Sequence, residues 1–331
     1  MSYLIVGLTS NYRFFGEEAS LDAARRLGDY LLRRWTHEPE KIPDGNALST
    51  LGIESAMLSL YEHTHEQKYM DFCTKQCSLQ EWDAPIVLGR WGMIEGHAYN
   101  YLHRCLAQLQ LHSLQPDPRL LQPTRRAFDF MTRRDGMTIT GLLGDHECWH
   151  DTQEGLINLG ETCATAYLSR FLNKLLQREG LSFYGDLMER ALYNGLFAAQ
   201  SPDGRKIRYY TPFDGPRGYH DLDTYCCPNN YRRIVSELPG MIYYQPSEGV
   251  VINLYTSSSA EIELSGGNAL SVRQDTDYPR SGRVAIHVNP SKPARFPLWL
   301  RIPRWCTSPK VEVNHQPVRE DSSFALSSPD E

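Results

Sequence analysis

Two short clusters, far apart in the chain, carry the side chains best suited to chemistry. The first is Gly-Glu-Thr-Cys-Ala, with Glu161 and Cys163, and the second is Tyr-Cys-Cys-Pro, with Cys226 and Cys227. Three thiolates and a carboxylate would repel one another if they met without a cation. Zn²⁺ accepts both ligand types and takes four of them, so the clusters predict a zinc site. The other interpretation, cysteines that fill the core of a reduced protein, stays open because the sequence has no CxxC pair.

The spacing within each cluster predicts its local structure. Glu161 and Cys163 are two positions apart and cannot share one face of a regular helix, so we expect them at a helix start. Adjacent cysteines on a strand point to opposite sides. We therefore predict that Cys226 and Cys227 reach one metal from an irregular turn, which the following Pro228 favours.

The sequence around both clusters resembles a known family. GETCATAYLSRFL and YCCPNNYRRIVSELP are similar to the signature of glycoside hydrolase family 127, the β-L-arabinofuranosidase family. The stretches EGHAYNYLH, ALYNGLFAA, DYPRSGRVAIHV and FPLWLRIPRWC agree with it, so the resemblance covers nearly the whole chain. It favours the metal site over core cysteines. It also implies a helical-hairpin domain of the (α/α)6 toroid type, followed by an antiparallel β-sandwich.

The resemblance implies a zinc-dependent retaining glycoside hydrolase. Cys226 matches the nucleophile of the family, and Glu161, Cys163 and Cys227 match its fellow zinc ligands. Metal coordination would keep the sulfur a thiolate and fix its direction.

A glycosidase also needs an acid to protonate the departing oxygen. In the family this glutamate comes shortly before the Glu-Thr-Cys motif. Glu147 in Gly-Asp-His-Glu is the best match, although its spacing is about two residues short, and Glu154 is the alternative.

Other matches concern the sugar. His97 in Gly-His-Ala matches a substrate histidine of the family, and Tyr209 matches a substrate tyrosine. In two places where the family often has a histidine, this chain has Leu51 and Thr224. These departures put the specificity for β-L-arabinofuranosides in question.

Periodicity along the chain agrees with a helical domain followed by a β domain. Apolar residues recur at helical spacing from Glu17 to Trp35 and again in several later segments up to about residue 199. A stretch from 135 to 160, rich in glycine and titratable side chains, interrupts this pattern. Beyond Pro239 the period changes to two, as is typical of strands. We predict a catalytic domain over residues 1–242 and a β-sandwich over 243–331.

Only about eight helices can be counted, fewer than the twelve of a complete toroid. We therefore expect the first part of the ring to be missing from this chain or to be supplied otherwise. A chain that starts within the domain would show no leader segment. The eight cysteines of the 331 residues are too sparse for a small disulfide-stabilised domain and favour a reduced, cytoplasmic setting.

Composition bears on the partners. A net charge of -6 argues against nucleic acid and anionic membranes, and no apolar run approaches the length of a membrane span. Nineteen tyrosines and six tryptophans suit a carbohydrate substrate. A homo-oligomer is compatible with the sequence.

Two other functions stay open. One is a metal-free inverting glycosidase of the same toroid architecture, with loop carboxylates such as Glu147 and Asp151 acting through a water. The other is a non-catalytic protein in which zinc only joins two segments of the chain.

Overall fold

The computed structural model describes residues 1–41, 52–154, 158–264 and 266–318. Leu51 and the last dozen residues lie outside this part. Contacts divide the chain into two compact units. The first comprises Met1–Phe171 and Tyr193–Asn230, and the second comprises Leu172–Leu192 and Tyr231–Glu331. The predicted boundary between residues 242 and 243 stays a prediction.

The described part of the chain is mainly helical before residue 242. Its helices are α1 (Ser2–Phe15), α2 (Glu18–His37), α3 (Ile53–Thr64), α4 (Gln67–Asp71), α5 (Ala98–Leu114), α6 (Gln122–Arg133), α7 (Thr162–Glu179), α8 (Ser182–Ala191), α9 (Phe197–Ala199) and α10 (Cys226–Glu237). Among these helices, none combines the length and the apolar character that crossing a membrane requires.

Most helices agree with the prediction. The last of the segments predicted up to about residue 199 is interrupted, because a π-helical turn at Leu192–Leu196 separates α8 from α9. Helix α1 was not predicted, since its sequence SYLIVGLTSNYRFF is apolar around much of its first half and contains Gly7, which blurs the helical period.

The first four helices share one apolar core. It includes Ile5 of α1, Leu31 of α2 and Met57 of α3, all at most 5 % exposed. Gly28 allows α2 to approach α3 closely, because a Cβ there would lie 2.6 Å from Leu60 Cδ1.

Strands follow from residue 243. They are β1 (Tyr243–Tyr244), β2 (Val250–Ile252), β3 (Ser258–Leu264), β4 (Asn268–Thr276), β5 (Val284–Pro290), β6 (Leu298–Leu300), β7 (Glu312–Val313) and β8 (Gln316–Pro317). Sheets form in the orders β1-β2-β6, β3-β4-β5 and β7-β8. The first two sheets share a core that includes Val250 and Ile252 from one and Leu270 and Val272 from the other.

This arrangement confirms the predicted fold class, helical hairpins followed by a β-sandwich. Its strand pairs are antiparallel except for β2 and β6, which run parallel. No hairpin joins β2 to β6, so no tight turn imposes an antiparallel direction on this pair.

Candidate active site

The start of α7 positions the first cluster. Gly160 adopts a φ of 73°, and a Cβ there would lie 2.7 Å from Leu142 Cδ1. The next residue, Glu161, pairs with Tyr210 in an isolated β-bridge, and the Thr162 amide donates to the Tyr209 carbonyl oxygen over 2.9 Å. The helix start predicted here is confirmed. These backbone bonds also bring Tyr209 to the cluster.

The second cluster begins helix α10 and does not form a turn. Cys226 and Cys227 are its first two residues, so the predicted irregular turn was wrong. Pro228 did not decide the matter, because the first turn of a helix tolerates proline, whose missing N–H would have no helical partner there. Both thiols are instead offered by the amino-terminal turn of a helix.

The two helix starts bring the four predicted ligands together. One ligand atom from each of Glu161, Cys163, Cys226 and Cys227 lies within 4.8 Å of all the others. The sulfurs of Cys163 and Cys227 are 3.2 Å apart, and Cys227 Sγ lies 3.7 Å from Glu161 Oε1. Except for Cys226, which is half-buried, these side chains are 0 % exposed. Within the described part of the chain, Glu161 Oε2 is buried without a hydrogen-bond partner.

The electrostatics of the cluster favour a bound cation. Burial, reinforced by the charge of Glu147, raises the pKa of Glu161 well above its usual value. Burial also raises the pKa of the Cys163 and Cys227 thiols. Hydrogen bonds from these two thiols and from Tyr209 lower the pKa of Cys226. The donor set and the unpaired Glu161 oxygen therefore fit a divalent metal that accepts sulfur and oxygen ligands.

Glu147 lies at the tip of a tight hairpin. Asp145 and Cys148 exchange two backbone hydrogen bonds of 2.9 Å, and the two residues between them have positive φ, 48° at His146 and 70° at Glu147. Such turns normally use glycine or asparagine. A histidine and a glutamate held in this conformation indicate strain of the kind found at functional sites.

Three donors hold the Glu147 carboxyl group. His97 Nε2 lies 3.2 Å from Oε2, Trp91 Nε1 donates to the same oxygen, and the Tyr209 hydroxyl donates to Oε1. Burial alone would raise the pKa of Glu147, but the bonds from His97, Tyr209 and Trp91 outweigh it and lower the pKa. His97 is itself 4 % exposed and immediately precedes α5, with no capping hydrogen bond from its side chain.

The Tyr209 hydroxyl group joins the two halves of the site. Besides its bond to Glu147, it lies 3.2 Å from Cys226 Sγ. Burial, followed by the charges of Cys227 and Glu161, raises the pKa of Tyr209, which keeps its proton available as a donor. One hydroxyl group therefore separates the Glu147 carboxyl group from the Cys226 sulfur.

The site contains one residue that the sequence did not single out, and three residues that the sequence analysis named are exposed. The new residue is Trp91, which lies four positions before the Glu95-Gly96-His97 stretch. Glu154, Asp151 and Thr224 are exposed, and the Glu154 amide bonds to the Thr152 hydroxyl.

Comparisons with known proteins point to one family. The model of the β-L-arabinofuranosidase GH127 catalytic domain matches residues 1–240, and that of the GH127 middle domain matches residues 249–325. A non-reducing end β-L-arabinofuranosidase from Bifidobacterium longum subsp. longum is 26 % identical over 96 % of this chain and 56 % of its own length.

Solved structures show the same fold. A GH127 β-L-arabinofuranosidase from Geobacillus stearothermophilus T6 has a TM-score of 0.76 and 25 % identity, with 96 % of this chain and 57 % of that one covered. A second GH127 β-arabinofuranosidase has a TM-score of 0.79 and 24 % identity, with 97 % and 55 % covered. The chain thus spans little more than half the length of these relatives. Because the catalytic-domain model matches most of its residues, the chain belongs to glycoside hydrolase family 127.

Proposed function

We propose that this chain carries the site of a zinc-dependent retaining β-L-arabinofuranosidase, with Cys226 as nucleophile and Glu147 as acid/base. The observation that carries the proposal is the Tyr209 hydroxyl, which contacts both Cys226 Sγ and Glu147 Oε1. Retaining glycosidases hold their two catalytic groups about 5–5.5 Å apart, and inverting ones about 6.5–9.5 Å apart. A separation of one hydroxyl group agrees with the retaining geometry.

The substrate class rests on the relatives. The curated protein from Bifidobacterium longum is named as a non-reducing end β-L-arabinofuranosidase, and the solved relatives carry similar names. We infer the same glycoside for this chain. Glu161, Cys163, Cys226 and Cys227 would hold the zinc ion, which when bound keeps its thiol ligands deprotonated.

In the first half of the reaction, the Cys226 sulfur forms a bond to the anomeric carbon while the bond to the leaving oxygen breaks. The Glu147 carboxyl group gives that oxygen its proton. In the second half, water attacks the same carbon, its proton returns to Glu147, and the carbon–sulfur bond breaks to regenerate the thiolate. His97 and Tyr209 orient Glu147 throughout, and the Tyr209 hydroxyl oxygen also lies 3.2 Å from the Cys226 sulfur.

The surroundings of Glu147 predict how the reaction depends on pH. Its lowered pKa leaves the carboxyl group mostly ionised at neutral pH, whereas the first step needs the protonated form. We therefore expect kcat/KM to rise as the pH falls from neutral toward the pKa of Glu147.

A non-catalytic protein with a structural metal is the second candidate. Glu161, Cys163 and Cys227 are 0 % exposed, as is typical of ligands that only join segments of a chain. Cys226 favours the glycosidase over this alternative, because its thiol is only half-buried and its pKa is lowered.

The test replaces Cys226 by serine. Its hydroxyl is far less ionised than a thiol, so we expect hydrolysis of a β-L-arabinofuranoside to be abolished. Cys306→Ser is the matched control, because Cys306 is also partly exposed, and it should keep full activity. A furanose electrophile should label Cys226, as read by peptide mass spectrometry. Full activity of Cys226→Ser would leave the carboxylate-only glycosidase as the better interpretation.

The acid/base is tested by Glu147→Gln. Turnover should fall by about 10²–10⁴-fold, because the amide cannot deliver a proton. A substrate with a very good leaving group should lose less in its first step, since it needs little protonation. Glu154→Gln is the control, as Glu154 lies on an exposed loop. If Glu154→Gln shows this loss of turnover and Glu147→Gln stays active, Glu154 is the acid/base.

A further inference from the structure

Trp91 combines high exposure with a contact to the acid/base. Its side chain is 58 % exposed, yet its indole N–H donates to Glu147 Oε2. An exposed tryptophan alone is ordinary on a protein surface. Here the polar end of the ring is fixed against a carboxyl group while much of the side chain remains open to solvent.

The loop that carries Trp91 has close contacts on both sides of this residue. Arg90 pairs with Glu95 over 3.1 Å, and Gly96 lies so close to the loop start that a Cβ would meet the Arg90 carbonyl oxygen at 1.9 Å. The Trp149 amide donates to the Gly96 carbonyl oxygen over 2.9 Å. These contacts fix the backbone on both sides of Trp91, so its ring needs little ordering to receive a ligand.

The two carboxyl oxygens of Glu147 have different hydrogen-bond partners. Oε1 accepts from Tyr209 and, through that hydroxyl, faces Cys226, whereas Oε2 accepts from Trp91 and His97. The anomeric carbon must lie within reach of both the Cys226 sulfur and Glu147. The group on the other side of the glycosidic oxygen therefore extends past Glu147, where Trp91 is exposed and His97 is buried.

We propose that Trp91 forms the leaving-group subsite, with its exposed indole face stacked on the neutral sugar ring that departs with the glycosidic oxygen. Flat aromatic rings bind the apolar faces of sugars while their polar edge is engaged elsewhere. This inference rests on the proposed function, because it uses Glu147 as the acid. Trp91 then has two roles. Its ring binds the departing sugar, and its indole N–H, which can act only as a donor, positions Glu147 by a hydrogen bond.

Two variants separate the roles. Trp91→Phe keeps an aromatic ring and loses the N–H, whereas Trp91→Ala loses both. Two substrates share one β-L-arabinofuranosyl group: the methyl glycoside, which has no leaving-group ring, and a disaccharide in which a second arabinose leaves. Trp299→Ala is the control, since this tryptophan of β6 is also exposed, at 45 %.

We expect kcat/KM for the disaccharide, relative to the methyl glycoside, to fall about tenfold in Trp91→Ala. This ratio should stay within about twofold of the parent in Trp91→Phe, while kcat falls on both substrates because Glu147 is less well held. Calorimetric titration of the disaccharide into Cys226→Ser, with and without Trp91→Ala, should show the same loss in affinity.

Other results would overturn the inference in distinguishable ways. An equal loss on both substrates in Trp91→Ala removes the subsite and leaves the proposed glycosidase intact. If the unaltered protein neither hydrolyses nor binds either sugar, the proposed function fails and the subsite with it.

Discussion

Two groups of buried acids in this protein are balanced in different ways. In the second unit, Asp186 and Glu189 share the guanidinium group of Arg301, which is 4 % exposed and lies 2.7 Å from Asp186 Oδ1. Tyr278 also donates to Glu189. Burial raises the pKa of Asp186, and Arg301 partly offsets that effect. This group contains its own positive charge.

The other group lies at the start of α7 and α10. The groups that act most strongly on Glu161 after its burial are the acid Glu147 and the thiols of three cysteines. Asn230 donates to Cys163 Sγ over 3.0 Å, but an amide carries no charge. Since uncompensated buried acids are costly, a cation from outside the chain would stabilise this group, which has no positively charged side chain of its own among the residues that the structure describes.

The largest effect is expected when the internal cation, the guanidinium group of Arg301, is removed. Arg301→Met leaves Asp186 and Glu189 buried without their partner and should lower the free energy of unfolding by about 3–5 kcal/mol. Urea denaturation measures it. Arg273→Met is the control, because its pair with Asp275 is about half exposed and should contribute less than about 1 kcal/mol. Equal losses in the two variants would remove the distinction between the groups.

A smaller effect concerns the neighbour of the cysteines. Asn230→Ala deletes the hydrogen bond to Cys163 Sγ and should weaken zinc binding about 10–100-fold. Competition with a chromophoric chelator gives the affinity. Asn229→Ala, at the adjacent exposed position, should change it by less than about twofold. An unchanged affinity in Asn230→Ala would contradict the contribution of this hydrogen bond to metal binding.

The smallest effect is a difference in how stability depends on pH. In a chelator, the raised pKa of Glu161 means that the folded chain binds this proton more tightly than the unfolded chain. The contribution of Glu161 to the free energy of unfolding is therefore fully present below about pH 4. It is lost as the pH rises toward the raised pKa, by at most about 1.4 kcal/mol per pH unit.

Zinc should reverse this trend, because the metal replaces the protons of its ligands. The gap between the melting temperatures in zinc and in chelator should therefore widen from pH 5.5 to pH 7.5. A constant gap would contradict a site built from Glu161 and the cysteines.

The sequence predicted more of the cluster around Glu161 than of the loop that carries Glu147. Helix periodicity placed Glu161 and Cys163 at the start of α7, and the motif resemblance supplied the pairing with Cys226 and Cys227. The predicted turn at Cys226 and Cys227 was wrong, because proline is compatible with both an irregular turn and the first turn of a helix.

The contacts of Glu147 could not be read from local patterns. They depend on positive φ at His146 and Glu147, which neither residue type predicts, and on Trp91 and Tyr209 from distant loops. Tyr209 was identified only through the family resemblance, and Trp91 was identified only from the structure.

The most direct test of the central claim is the metal content of the protein purified under reducing conditions without added metal. Elemental analysis should find about one zinc per chain in the unaltered protein and in Cys306→Ala, and almost none in a Cys163→Ala/Cys227→Ala protein. A folded unaltered protein without zinc, or a double variant that keeps its zinc, would contradict the account.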